Sequence, residues 1–242
     1  MHILIISDIH ANLTALEAVL SETGEPEATW CLGDLIGYGP DPNQCIQRIR
    51  ELPNLLCLIG NHDAAALDLI DISSFNPEAQ QAVLWTQSQL TPANADYLLN
   101  LPERIETEQI TLAHGSPRYP IWEYLLDTRT AAQNFSHFKT PFCFVGHSHL
   151  PLIFQKNSTH QGIELLVPET PSVVEMTPRA IFNPGSVGQP RDRDPRAAYA
   201  IFDPDTLTWE YRRIAYDIRS VQARMVAAKL PDRHIQRLSS GW

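Results

Sequence analysis

The sequence predicts an α/β fold built as one domain over residues 1–242. Three observations carry this reading. The opening alternates short apolar runs with amphipathic helical patterns, as a parallel sheet with crossovers requires. After residue 150 the chain is mostly short β-type runs joined by tight turns. No repeat, low-complexity tract or linker divides it.

The elements follow in order. "HILIIS" (2–7) is a β-branched apolar run and reads as a buried strand. "NLTALEAVLSE" sets Leu13, Leu16, Val19 and Leu20 on one helical face, with Asn12 as cap and Gly24 and Pro26 as the stop. "ATWCLG" (28–33) is the second strand, Asp41 and Pro42 open a second helix, and "NLLCLIG" (54–60) is the third strand. "NPEAQQAVLWTQSQL" and "TPANADYLLNL" each begin with a cap and a proline and read as helices. "ERIETEQITLAHG" reads as a hairpin whose second strand ends at His114. "IWEYLLDTRTAAQNFSHF" reads as helix with a break near Asp127 and Thr128, which makes residues 115–140 a candidate helical cover over the site. "PFCFVG" is a further core strand. The runs after it predict a second, largely antiparallel sheet, and "DIRSVQARMVAAKL" a closing helix with Ile218, Val221, Met225 and Leu230 as its stripe. Residues 231–242 are expected to fray.

Composition narrows the class. Hydrophobic residues make up 43%, enough for a sizeable core, and the formal net charge of −10 disfavours extended nucleic-acid binding. The arginines of "QPRDRDPRA" are offset by aspartates, so no basic arm exists. Cys31, Cys45, Cys57 and Cys143 make no CxxC spacing, and three lie in apolar runs, as buried reduced thiols do. "MHILIISD" has no basic leader or cleavage site, and no apolar stretch reaches membrane-span length. A cytoplasmic protein without a membrane partner is expected.

The polar residues collect at strand ends. "SDIH" brings Asp8 and His10, "GD" Asp34, "GNHD" Asn61, His62 and Asp63, "AHGS" His114, and "GHSH" His147 and His149. Open α/β sheets bind ligands beyond the carboxyl ends of their strands. If the strand before Gly146 simply continued, alternation would lean His147 and His149 toward one shared guest. Taken singly, each motif is an ordinary turn; all five at strand ends in one chain point to a ligand set. Carboxylates, imidazoles and an amide oxygen suit borderline divalent ions, manganese foremost, with iron, zinc, nickel or cobalt as alternatives. Seven donors exceed one tetrahedral ion and fit two ions sharing Asp34. His2, His137, His160 and His234 have no such placement and are read as structural or surface residues.

D-x-H, G-D, G-N-H-D, H-G and G-H-x-H, in this order, resemble the signature of the calcineurin-like metallophosphoesterases. "DIHANLTAL", "GDLIGYGPDP", "GSPR" and "NPGSVGQPRD" (183–192) are similar to the small bacterial and archaeal branch of that superfamily. The resemblance implies a two-sheet mixed β-sandwich flanked by helices, an αββα architecture. It implies that Asp8, His10 and His149 hold one ion and Asn61, His114 and His147 the other, with Asp34 bridging, so the neighbouring imidazoles serve different metals. One departure stands out. Where the family's protein serine/threonine phosphatases carry a further Asp and then a phosphate-clamping Arg after the G-D, this chain has Gly37 and Tyr38. Asp63 becomes a candidate orienter of His62. Arg118, Arg191, Arg193 and Arg196 become candidates for the clamp, and Asn12 joins Asp63, Arg118 and Arg191 as a candidate substrate contact.

The expected activity is hydrolysis of phosphate mono- or diesters by a hydroxide bridging two divalent ions, with His62 as the catalytic residue that is not a ligand. No G-x-S-x-G elbow, P-loop or Cys-x5-Arg loop offers a rival nucleophile. Two alternatives remain: a non-catalytic scaffold of the same fold that binds protein partners, and a protein phosphatase or nuclease of the same superfamily. The expected partner is a small phosphorylated substrate, nucleotides among the open classes; oligomeric state is unreadable.

Overall fold

The computed structural model describes residues 2–157 and 162–242. The expectation for His160 lies outside the described residues. Strands β1 (Ile3–Ile6), β2 (Ala28–Cys31) and β3 (Leu56–Cys57) pair in parallel, connected through α1 (Leu13–Thr23) and α2 (Pro42–Arg50). Asn12 caps α1 through its side-chain oxygen to the N–H of Ala15, as its place before the apolar stripe predicts. α3 (Asn61–Ala66), a 3₁₀ turn (Ile72–Ser74), α4 (Pro77–Gln89) and α5 (Pro92–Leu99) follow. Asn76 and Thr91 cap α4 and α5, each with proline at the first turn. β4 (Arg104–Glu106) and β5 (Ile110–Ala113) form the expected hairpin. Next come α6 (Thr128–Asn134), β6 (Phe142–Phe144), β7 (Pro151–Lys156), β8 (Ile163–Leu166), β9 (Ser172–Glu175), β10 (Ala180–Pro184), β11 (Ala197–Asp203), β12 (Thr208–Ile214), α7 (Ile218–Ala227) and α8 (Asp232–Ser240).

Two mixed six-stranded sheets face each other, ordered β3-β2-β1-β11-β12-β9 and β4-β5-β6-β10-β7-β8. Ile3 and Ile5 point into the layer between them with Trp30, Phe144, Phe182 and Trp209, while Leu4 and Ile6 point outward under α1 and α2. Both faces are therefore buried, which is why the strand reads as an unbroken apolar run. Trp209 and Phe144 are fully buried, and each such side chain contributes about 1.5–3 kcal/mol of burial. All four cysteines are buried and free. Among the described residues no helix is long and apolar enough to cross a membrane.

Three expectations need correction. The late strands do not make a sheet of their own: β11, β12 and β9 extend the first sheet, and β10, β7 and β8 extend the second. Local patterning reports which residues are strand but not which edge they join. Residues 121–127 are irregular, and helix covers only Thr128–Asn134. The Glu123 carboxylate there accepts hydrogen bonds from Ser116, Arg118 and Asn134, which fixes the loop, and Asp127 starts the helix by accepting the N–H of Thr130. The tail does not fray. α8 buries His234, Ile235 and Leu238, and Gly241 ends it in the left-handed region at φ 64°.

Candidate metal centre

Five parallel strand ends meet between the two sheets. β1 leads to Asp8 and His10, β2 to Asp34, β3 to Asn61, β5 to His114 and β6 to His147 and His149, all buried. Just beyond the strands the backbone turns left-handed at Asp8 (φ 54°), His10 (49°), Asp34 (54°), His147 (63°) and His149 (60°). Each such residue carries a strain of roughly 1–3 kcal/mol, the kind of cost that gathers at functional sites. These turns also replace the strand-alternation argument for "GHSH", because β6 already ends at Phe144. The segment 183–192 braces the cluster: Ser186 donates its hydroxyl to the Asp8 carbonyl, and Asn183 donates to that of Gly146. Gly60 must lack a side chain, since a Cβ there would lie 2.0 Å from Asp34 Oδ1.

Each carboxylate is anchored by one oxygen and offers the other. Asp8 Oδ2 accepts the N–H of His147 (3.0 Å) and Asp34 Oδ1 that of His62 (2.9 Å), leaving Asp8 Oδ1 and Asp34 Oδ2 buried without a partner. The imidazoles are set the same way. Nδ1 of His10, His114 and His149 lies against the carbonyls of Ile36, Leu32 and Gln189, which turns each Nε2 inward. His10 Nε2 and His149 Nε2 stand 3.0 Å apart, a spacing that suits two neighbouring ligands of one ion. Asp34 Oδ2 lies 3.6 Å from His10 Nε2 and 3.4 Å from His114 Nε2, between the two groups. His114 Nε2 also lies 3.1 Å from Asn61 Oδ1. Two triads result, Asp8–His10–His149 and Asp34–His114–His147.

The electrostatics show the same deficit of positive charge. Burial pushes the Asp8 carboxyl up to about 7 and holds His10, His147 and His149 neutral, well below their usual range. Burial opposes charge at Asp34 and His114 too. Their mutual attraction overrides it, lowering Asp34 and raising His114 to about 9. A proton on His114 thus stands where a cation would serve better. Neutral imidazoles with inward lone pairs, two unpartnered carboxylate oxygens and an amide oxygen fit a pair of divalent ions.

Residues 1–207 match the calcineurin-like phosphoesterase superfamily domain. The chain belongs to that superfamily. A metallophosphoesterase of known structure from Sphaerobacter thermophilus is 46% identical, covers 100% of this chain and 99% of its own, and superposes with a TM-score of 0.92. A protein of Methanocaldococcus jannaschii is 37% identical across 99% of this chain and 98% of its own. The Escherichia coli phosphodiesterase YfcE is 24% identical over 86% of this chain and 90% of its own.

Around the two candidate metal-binding groups the other expected residues separate. His62 stands beside the centre, its ring 5.0 Å from His10 and 4.3 Å from Tyr38, with Nδ1 unpartnered. Burial lowers it to about 4, so it enters as a neutral imidazole. Asp63 does not orient it. Its two oxygens accept the N–H groups of Gly60 (2.9 Å) and Ile36 (3.1 Å), so it caps α3 and holds the Asp34 loop. Gly37 leaves the space that His62 fills, since a Cβ there would lie 2.8 Å from His62 Nδ1. Asn12 is likewise spent on structure, capping α1 and donating to the Gly188 carbonyl.

The four arginines also part company. Arg118 is tied to Glu123 and Gln133, Arg196 to Asp194, and Arg193 lies over Trp242. Arg191 alone faces the centre. It lies over Tyr38, donates from Nη2 to Gln189 Oε1 (3.0 Å), stands near enough to the Tyr38 and Tyr124 hydroxyls to favour their ionised forms, and leaves Nε without a partner; no carboxylate among the described residues is within salt-bridge distance of it.

Three neighbours went unpredicted. Tyr124 stacks on His147 at 3.8 Å and 20°, so the 115–140 segment does reach the site, as loop rather than helix. Tyr38, which stands where the phosphatases carry arginine, packs its ring 4.7 Å from His10 and 4.3 Å from His62. His234, read as structural or surface, is buried with its ring 4.5 Å from Tyr38. The apolar spacing of His234, Ile235 and Leu238 was the available signal for its helix.

Proposed function

We propose that this chain is a hydrolase of phosphate mono- or diesters working with two divalent metal ions. The observation that carries the reading is the convergence on one buried space of Asp8 Oδ1, Asp34 Oδ2 and His147 Nε2, which have no hydrogen-bond partner, with the inward Nε2 atoms of His10, His114 and His149. Asp8, His10 and His149 would hold one ion, and Asn61, His114 and His147 the other, with Asp34 between. Two such ions acidify a water held between them and offset the charge that gathers on the phosphoryl oxygens. The likeness to the phosphodiesterase YfcE supports an ester of this class.

The chain's own residues supply the rest. Arg191 faces the centre and would take the part of the arginine missing from the G-D loop, with its unpartnered Nε–H available to a phosphoryl oxygen. His62, neutral and on the rim, stabilises the developing charge by a hydrogen bond rather than by delivering a proton from an imidazolium. Tyr38, whose ring the guanidinium overlies at 5.9 Å, would help to hold it. We expect manganese to give the highest turnover. The test is to strip the protein with a chelator, reload it with Mn²⁺, Ni²⁺, Zn²⁺ or Mg²⁺, and assay bis(p-nitrophenyl) phosphate and p-nitrophenyl phosphate. Metal-dependent release of p-nitrophenol supports the reading, and no turnover of either ester with any ion contradicts it.

A further inference from the structure

We infer that Phe75, Trp122 and Tyr124 form an aromatic cleft that takes the nucleobase of a nucleotide whose phosphate sits at the metal centre. The inference rests on the phosphoesterase reading and names its substrate class. Four aromatic side chains are exposed among the described residues: Tyr119, Trp122, Tyr124 and Trp242. Three of them fall within residues 119–124, on the loop that Glu123 pins beside the metal ligands. Tyr119 already lies under the Arg118 guanidinium. Trp122 is 41% exposed and Tyr124 45%, though the rest of the aromatic complement is largely buried.

Their arrangement is that of a stacking wall. Tyr124 covers His147 with one face. Phe75 stands edge-on to His62 at 5.1 Å and to Trp122 at 5.4 Å, so the wall runs outward from the proposed transition-state residue in two ring contacts. Beyond Trp122 a groove of about 630 Å³ opens, lined by Ile70, Asp71, Ser73, Ser74 and Trp122. Its polar residues are already engaged with one another, Ser73 donating to the Asp71 carboxylate and Ser74 to the Asp71 carbonyl, so the groove offers space beside the Trp122 ring. Arg191 reaches the Tyr124 hydroxyl, which joins this wall to the phosphate contact. The net charge of −10 disfavours a long polyanion, which favours a mononucleotide or short nucleotide ester.

Stacking a base on an aromatic side chain is sequence-tolerant and gives about tenfold or more in affinity. The test uses the manganese-loaded protein hydrolysing bis(p-nitrophenyl) phosphate, with AMP, ribose 5-phosphate and phenyl phosphate as competitors. AMP should compete about tenfold better than ribose 5-phosphate, which has the same phosphate and sugar and no base. That advantage should collapse toward one in Trp122→Ala and largely return in Trp122→Phe. Equal competition by AMP and ribose 5-phosphate while the diester is still cleaved overturns the cleft and leaves the phosphoesterase reading standing. An advantage that survives both Trp122→Ala and Tyr124→Ala also overturns it. Phenyl phosphate competing as well as AMP overturns the nucleotide assignment in favour of simple aryl esters. No cleavage of the diester at all removes the reading beneath it, and the cleft with it.

Discussion

The ligand cluster and the wall beside it are built on opposite terms. The candidate ligands are buried and lie just beyond the ends of core strands, and Asp8, His10, Asp34, His114 and His149 are each fixed by a backbone hydrogen bond on the side away from the site. The wall is half-exposed, rides on the irregular 115–127 loop and the 3₁₀ turn, and is held by rings touching rings. Chemistry common to a superfamily needs the first kind of rigidity. Choice of substrate can be left to the second, where a side chain can change without disturbing a strand.

That contrast orders the expected effects. Asp34→Asn should be the most damaging, because its carboxylate stands between the two triads: turnover should fall by at least about 10³-fold, beyond the 10–100-fold typical of outer contacts, with metal lost on dialysis. Metal content by mass spectrometry and turnover check it together. His62→Ala should lower kcat by about 10²–10⁴-fold while both ions stay bound, a separation that metal content again reports. Arg191→Ala should lower kcat/KM by about 10–100-fold, the loss of one or two charge-assisted hydrogen bonds, whereas Arg118→Ala should move it less than about twofold. If the two arginines behave alike, the distinction drawn between them fails.

The smallest effect concerns α8. Burial, with Arg237 and Arg191 nearby, lowers His234 from its ordinary 6.5 to about 4. The unfolded chain therefore takes up a proton that the folded chain refuses. The stability this residue supports is full above about pH 6.5 and is lost as pH falls toward 4, on the order of 3 kcal/mol at full effect. In the metal-free protein His234→Phe should lessen the acid-side drop in unfolding temperature between pH 7.5 and 4.5, as thermal melts will show. An unchanged drop would mean that the ring is not held neutral by its surroundings.

Much of the rigid region was legible in the sequence because its signals are local. Apolar runs such as "HILIIS" and "PFCFVG" mark strands buried on both faces, and a polar residue directly after each run falls at a strand end whatever the sheet order. The allocation of β9–β12 between two sheets was not legible, since pairing joins residues far apart in the chain. Asp63 illustrates the limit within a motif. Adjacency to His62 suggested a dyad, but as the third residue of α3 it turns back to the Gly60 N–H. Trp122 and Tyr124 carried no pattern of their own. Only the fold brings them to Phe75 and His147.

The account turns on Asp34 lying between two ions, and anomalous diffraction from manganese-loaded crystals measures this directly. We predict two peaks about 3.5–4 Å apart, with Asp34 Oδ2 within coordinating distance of both. A single peak, or two peaks with Asp34 bound to neither, would contradict it.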